Sequence, residues 1–149
     1  MIKNQNKTLI LKNKYIQPLN LWLFKLALHG NQSRQRTRFI ASLYEKMNEI
    51  DTVKEKTLQI YADKDDAGKP KILTNDKGES EYYLTPENKG KYIKEYGDFL
   101  ERELPYPLDT KERKEMAYIV REILLSTQQE FQGPQAIQYN EWCEIFEKI

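Results

Sequence analysis

The stretch SRQRTRFIASLYEKMNEIDTVKEKTLQIYADK, Ser33–Lys64, decides how this chain is read. It contains neither Gly nor Pro. Phe39, Ile40, Leu43, Met47, Ile50, Val53, Thr57, Leu58 and Tyr61 recur along it at steps of three and four residues. That is the period of one helical face. The spacing predicts a single helix of roughly 30 residues, about 45 Å long at 1.5 Å per residue. Asn31 or Ser33 stands where a side-chain oxygen can cap it. A helix of that length belongs to a helical hairpin or an extended arm of a bundle.

Toward the N-terminus, Leu19–Leu28 (LNLWLFKLAL) is apolar on nearly every face and predicts a deeply packed helix. Pro18 is expected to prevent a helix from running through it, and Gly30 to close the helix as a C-terminal glycine. Thr8–Leu11 is β-prone and predicts a strand or an extended arm. Toward the C-terminus, Lys71–Thr74 and Glu81–Leu84 flank Asn75-Asp76-Lys77-Gly78, the pattern of an exposed hairpin. Thr85-Pro86 opens a helix carrying Tyr92, Ile93, Tyr96, Phe99 and Leu100, which Pro105 and Pro107 end. Asp109-Thr110-Lys111-Glu112 reads as a capping box, Asp109 being the cap, before Met116, Ile119, Val120, Ile123 and Leu124. Gly133-Pro134 introduces a last helix with Ile137, Tyr139, Trp142, Ile145 and Phe146. The fold class is mainly α: a helical bundle with one long helix (about 33–64) and a small β-hairpin (about 71–84), with an N-terminal strand available to join the hairpin. A length of 149 residues argues for one domain.

Charge is distributed unevenly. Residues 1–44 hold eight basic side chains (Lys3, Lys7, Lys12, Lys14, Lys25, Arg34, Arg36 and Arg38) and no acid, a net charge of +8. The first carboxylate is Glu45; the remaining 105 residues hold 16 basic and 23 acidic groups, a net charge of −7. The domain therefore has a basic part (1–44) and a net-acidic remainder (45–149).

One Cys excludes an internal disulfide and a Cys-built zinc site, and one His excludes a multi-His metal site. No cofactor fingerprint is present, since no glycines fall at phosphate-loop or dinucleotide spacing. The most apolar run is ten residues long and contains Lys25, against about 20 needed to span a bilayer. No membrane segment or secretory signal is expected.

Asp63–Gly68 superficially resembles a calcium loop, but Ala67 and Thr74 stand where position 5 and the bidentate Glu of position 12 belong. A turn at the hairpin base is the better reading. His29, next to Gly30, is read as a partner for the last carbonyls of a helix, and Cys143 as a buried inert thiol. Glu101/Glu103 and Glu141/Glu144 are carboxylate pairs of a kind common on solvated helix faces, and carry no acid–base assignment.

The cluster that stands out is Arg34, Arg36 and Arg38. Arg34 and Arg38 share a face one turn apart and Arg36 turns away. Cations in the first turns of a helix oppose its macrodipole, so a compensating partner is needed. Carboxylates of this chain or of a second copy are favoured over a partner protein, and both over nucleic-acid phosphate. A pI of about 7.7 falls short of a dedicated DNA-binding domain. The candidate interaction residues are Arg34, Arg36, Arg38, Lys12 and Lys14; no catalytic, cofactor or metal residue is assigned.

Three segments carry a family resemblance: Leu28-His29-Gly30-x-x-Ser33-Arg34-x-Arg36-Thr37-Arg38-Phe39, then Tyr61-Ala62-x-Lys64-Asp65-x-x-Gly68-Lys69-Pro70, then Tyr139-x-x-Trp142-Cys143. In that order the chain resembles a small uncharacterised protein family of tailed phages and prophages of Gram-positive bacteria. The resemblance implies a phage or prophage origin and no activity. It makes the host cytoplasm, or association with the virion, the expected location. The leading expectation is a non-enzymatic assembly or accessory factor acting through a protein partner or self-association. The alternatives are a nucleic-acid-binding protein using the arginine cluster and an inhibitor of a host enzyme or defence complex. An enzyme is disfavoured for want of convergent groups.

Overall fold

A computed structural model describes residues 7–149; Lys3, one of the eight N-terminal basic residues, lies outside the described residues. The elements run β1 (Thr8–Lys12), α1 (Asn13–Phe24), α2 (Gly30–Ser42), α3 (Tyr44–Tyr61), β2 (Ile72–Thr74) and β3 (Ser80–Tyr82). They continue through α4 (Pro86–Leu100), β4 (Glu103–Pro107), α5 (Lys111–Ser126) and α6 (Pro134–Glu147). The fold is mainly α with a small hairpin at the predicted place. Among the described residues no helix is long and apolar enough to cross a membrane. Length alone leads to the expectation of one domain; the contacts gather in two compact units, one of residues up to Glu45 with Glu103–Ile149, the other Lys46–Arg102.

In the first unit β1 pairs antiparallel with β4, Leu9 opposite Tyr106 and Leu11 opposite Leu104. The N-terminal strand thus joins β4 rather than the hairpin. Leu108 N–H donates to the Lys7 carbonyl at 2.8 Å. Hydrogen-bonded pairs alternate in an antiparallel ladder, so Pro105 and Pro107 fall at the gaps, where no N–H is required. Two prolines that read as a helix stop therefore sit within a strand. Leu9, Leu11, Ile16, Leu19, Leu23, Phe39, Val120, Leu124 and Phe146 are buried together with Tyr106. The Phe39 ring lies 5.6 Å from Tyr106 and 6.1 Å from Phe146.

Pro18 does not stop α1. Its missing N–H and ring clash cost about 3 kcal/mol. Asn13, Ile16, Leu19, Asn20 and Leu23 fall on one buried face of the helix, and burial of each large apolar side chain contributes roughly 1.5–3 kcal/mol. Three such residues outweigh one proline. The helix instead ends at Phe24, where Lys25 N–H bonds to the Trp22 carbonyl at 3.3 Å. Gly30 opens α2 with φ +47°, and neither Asn31 nor Ser33 caps it; His29 holds the N-cap position without a side-chain bond.

The single long helix is two helices, broken at buried Leu43 (φ −107°, ψ 6°). In a continuous helix Leu43 N–H would donate to the Phe39 carbonyl. Here Ser42 Oγ occupies that carbonyl at 2.6 Å and also lies 2.8 Å from Tyr106 Oη. Leu43 N–H turns to Ile40 O at 3.1 Å. A serine back-bond anchored by a residue 64 positions away makes the break. The cap of α5 likewise moves by one, to Thr110, whose Oγ1 accepts from Arg113 N–H at 3.1 Å.

In the second unit the hairpin closes through Asn75, whose Oδ1 accepts from the N–H groups of Lys77 and Glu79. Gly78, at φ +80°, takes the left-handed position of that turn. Tyr82 Oη donates to Glu55 Oε1 on α3. Thr85 Oγ1 caps α4 by accepting from Asn88 N–H at 3.2 Å. Tyr92 stacks on Tyr96 and Tyr96 on Phe99 along α4, with buried Ile50, Thr57 and Ala62 in the same unit.

Candidate interaction surfaces

The arginine cluster separates by role. Arg36 reaches the end of α1, where Nη1 donates to the carbonyls of Leu23 at 2.5 Å and Leu26 at 2.9 Å. Its Nη2 donates to Ser33 Oγ at 3.3 Å. The last carbonyls of a helix lack intrahelical partners and carry partial negative charge, so a guanidinium both satisfies them and complements the dipole. The partner of Arg36 is thus neither carboxylate nor phosphate; it is backbone, which composition cannot reveal.

Arg34 and Arg38 are exposed. Among the described residues neither guanidinium takes part in a hydrogen bond or an ion pair. The structure does not bring them to the carboxylates of their own chain, contrary to the favoured part of the sequence-based expectation.

Lys12 and Lys14 are placed elsewhere. Lys12 stands opposite Glu103 in the ladder, and Lys14 Nζ lies 5.2 Å from the Tyr15 ring centroid. Lys12 and Tyr15 line a cleft of about 430 Å³ with Glu103, Glu141, Glu144 and Lys148. Tyr15 is held above the usual phenol range, first by burial and then by its hydrogen bond to Glu141; Lys14 and Lys12 act in the opposite sense. Glu144 Oε1 accepts from Asn140 Nδ2 at 3.1 Å. The five candidate residues therefore do not converge on one point.

The acidic turn Asp63–Gly68 is locally committed: Asp65 Oδ1 accepts from the N–H groups of Ala67 and Lys69, each at 2.9 Å. Among the described residues no group of three or more His, Cys, Asp and Glu side chains is placed to hold a metal ion. His29 is exposed at the start of α2, not at the end of a helix. Cys143 is buried, and burial pushes its thiol up; its hydrogen bond with Tyr139 acts against this and Glu147 adds to it.

A shallow groove of about 800 Å³ in the second unit runs beside β3, with Leu58, Ile72, Tyr82, Tyr83 and Tyr92 on its walls.

Two helix faces of the first unit were missed by reading period alone. On α1, Leu21 and Phe24 lie one turn apart and are 55% and 73% exposed. They belong to the run that reads as packed on every side, but the neighbours cover only part of it. On α6, Ile137 is 65% exposed and heads a stripe of exposed Asn140, Glu144 and Glu147. Trp22, between Leu21 and Phe24 on the covered side of α1, packs on Trp142 at 5.8 Å and donates Nε1–H to Gln129 Oε1 at 2.9 Å. No protein-family model, curated protein or solved structure matches the chain.

Proposed function

We propose that this chain is a non-enzymatic phage or prophage protein that works by protein–protein contact, as an assembly or accessory factor in the host cytoplasm or on the virion. The observation that carries the reading is the pair Leu21 and Phe24, two large apolar side chains on one face of α1 left more than half exposed. Contiguous exposed apolar side chains beside polar ones mark contact surfaces in water. Aromatic side chains, Phe among them, are enriched at the buried centre of interfaces. A photo-crosslinking amino acid at position 24, in cells where the phage or prophage is active, is expected to capture a protein. The same group at Lys114, an exposed position of α5, serves as control. Equal capture at both positions, or none at 24, sinks the reading.

A second reading is nucleic-acid binding through Arg34 and Arg38, supported by their exposure without a carboxylate partner. Arg36 is engaged by carbonyls, which leaves two contacts where three arginines stood. Two phosphate contacts correspond to a salt slope of about −2 in a log–log plot, a weak dependence. A gel-shift titration that finds binding with a slope near −2, abolished by Arg34→Ala and Arg38→Ala together, would establish this reading; no shift at low salt removes it.

A further inference from the structure

We propose that the partner covering Leu21 and Phe24 is a second copy of this chain, which seats the exposed stripe of its α6 there. This rests on the contact reading above and names its occupant. The helices α1 and α2 contain no Asp or Glu; their charged residues are Lys14, Arg34, Arg36 and Arg38, with exposed Lys25 just past the end of α1. The helix α6 is the converse: its 14 residues hold Glu141, Glu144 and Glu147 and no Lys or Arg. Each surface offers an apolar centre, Leu21/Phe24 on one and Ile137 on the other. The acids Glu144 and Glu147 fall seven and ten residues after Ile137, on the same face of α6. The basic and acidic surfaces lie within one compact unit. Among the described residues, Lys25, Arg34 and Arg38 take no ion-pair partner within the chain. In the free chain these charges face water, and α6 offers a surface of the opposite sign, with Lys12 and Lys148 beside Glu144 in the cleft described above.

A symmetric α1-to-α1 contact would set Lys25 against Lys25; the two faces proposed here differ, and where they are not used reciprocally in a two-fold pair the contact is head-to-tail. Such a contact leaves one face free at each end and propagates into a ring or an open chain.

The test is sedimentation velocity of the full chain over a concentration series at low and high salt. The wild type is expected to self-associate, less so as salt rises, because rim charges are screened. Phe24→Glu blocks one face and Ile137→Glu the other, so each variant alone is expected to be monomeric. Mixed, they are expected to form heterodimers and nothing larger, since each retains one competent face. Glu144→Lys with Glu147→Lys is expected to weaken self-association by about tenfold or more. All the substituted positions are exposed, and recovery of dimer on mixing shows that both variants are folded. A wild type that stays monomeric throughout overturns the proposal, as does a mixture that does not dimerise or a Phe24→Glu protein that still assembles. If position 24 cross-links to a different protein while the chain is monomeric, the contact reading stands and the second copy falls. If position 24 captures nothing and Phe24→Glu changes nothing, both fall.

Discussion

Arg36 on α2 donates to the carbonyl of Leu23 at 2.5 Å and so closes the C-terminal end of α1. The contact joins two helices that a proline and a glycine would be expected to bound differently. From the middle of α2 its charge meets the negative end of the neighbouring helix dipole.

Arg36→Ala is therefore expected to destabilise the first unit by about 1.5–3 kcal/mol, the range for losing hydrogen bonds to a charged group, although the Leu23 carbonyl keeps the Leu26 N–H as a donor. Arg36→Lys should recover only part: one ammonium can donate to both carbonyls as Nη1 does, but it has no second nitrogen for Ser33 Oγ. Both tryptophans, Trp22 and Trp142, lie in the first unit. Urea unfolding followed by Trp fluorescence reads that unit without interference from the other. An Arg36→Ala midpoint equal to wild type would refute the capping role.

Arg34→Ala and Arg38→Ala should behave differently. With no partner among the described residues, and with Arg34 in the N-terminal half of α2 and Arg38 past its midpoint, each is expected to change stability by no more than about 0.5 kcal/mol. The same fluorescence-detected unfolding checks this. A large loss at either position would mean the guanidinium has a structural partner after all.

Alkaline pH should unfold the first unit through Tyr139. Its phenol is pushed up to about 12 from 10.0, by burial first, then by its hydrogen bond with Cys143 and by the charges nearby. Below pH 10 both folded and unfolded chains keep the proton, and the stabilisation is fully present. Between pH 10 and 12 the unfolded chain releases it and the folded chain does not, so stability falls as pH rises. Tyr139→Phe removes its share of this pH dependence, leaving that of Tyr15 and Cys143, and costs about 1 kcal/mol at neutral pH by losing the bond from Tyr139 Oη to the Leu124 carbonyl. Unfolding midpoints at pH 8, 10 and 11, with phenolate absorbance followed in parallel, decide the matter; identical pH slopes in both proteins would refute it.

Cys143 should be nearly inert while folded. The thiolate is the reactive species, and here burial both raises the thiol pKa and blocks approach. A chromogenic thiol reagent is expected to react at the rate of unfolding in native buffer and at once in denaturant. Fast native labelling would contradict the burial of this side chain.

Much of the fold was legible because its signals are local. The periods of α4, α5 and α6, the Thr85-Pro86 start and the Asn75–Gly78 turn depend on residues a few positions apart. The surfaces were legible only in part: Arg36 parts from Arg34 and Arg38 as the helical period places it, whereas the carboxylate partners expected for Arg34 and Arg38 are not there and Lys12 and Lys14 lie apart from them. Leu21 and Phe24 were invisible as a surface, since a run that is apolar all round gives no indication of which side a neighbour leaves uncovered.

What the amino-acid sequence determined by itself is a mainly helical chain with an acid-free first 44 residues and a hairpin near residues 71–84. Tertiary structure alone decided the break at Leu43, the strand through Pro105 and Pro107, and the partner of Arg36. In each case the deciding group is distant or is backbone. The Tyr106 hydroxyl beside Ser42, the β1 strand that pairs with β4, and the carbonyls of Leu23 and Leu26 are brought into place only by folding. Local period and propensity contain no term for such groups, and burial and hydrogen bonding across the chain overrule them by a few kcal/mol at each site.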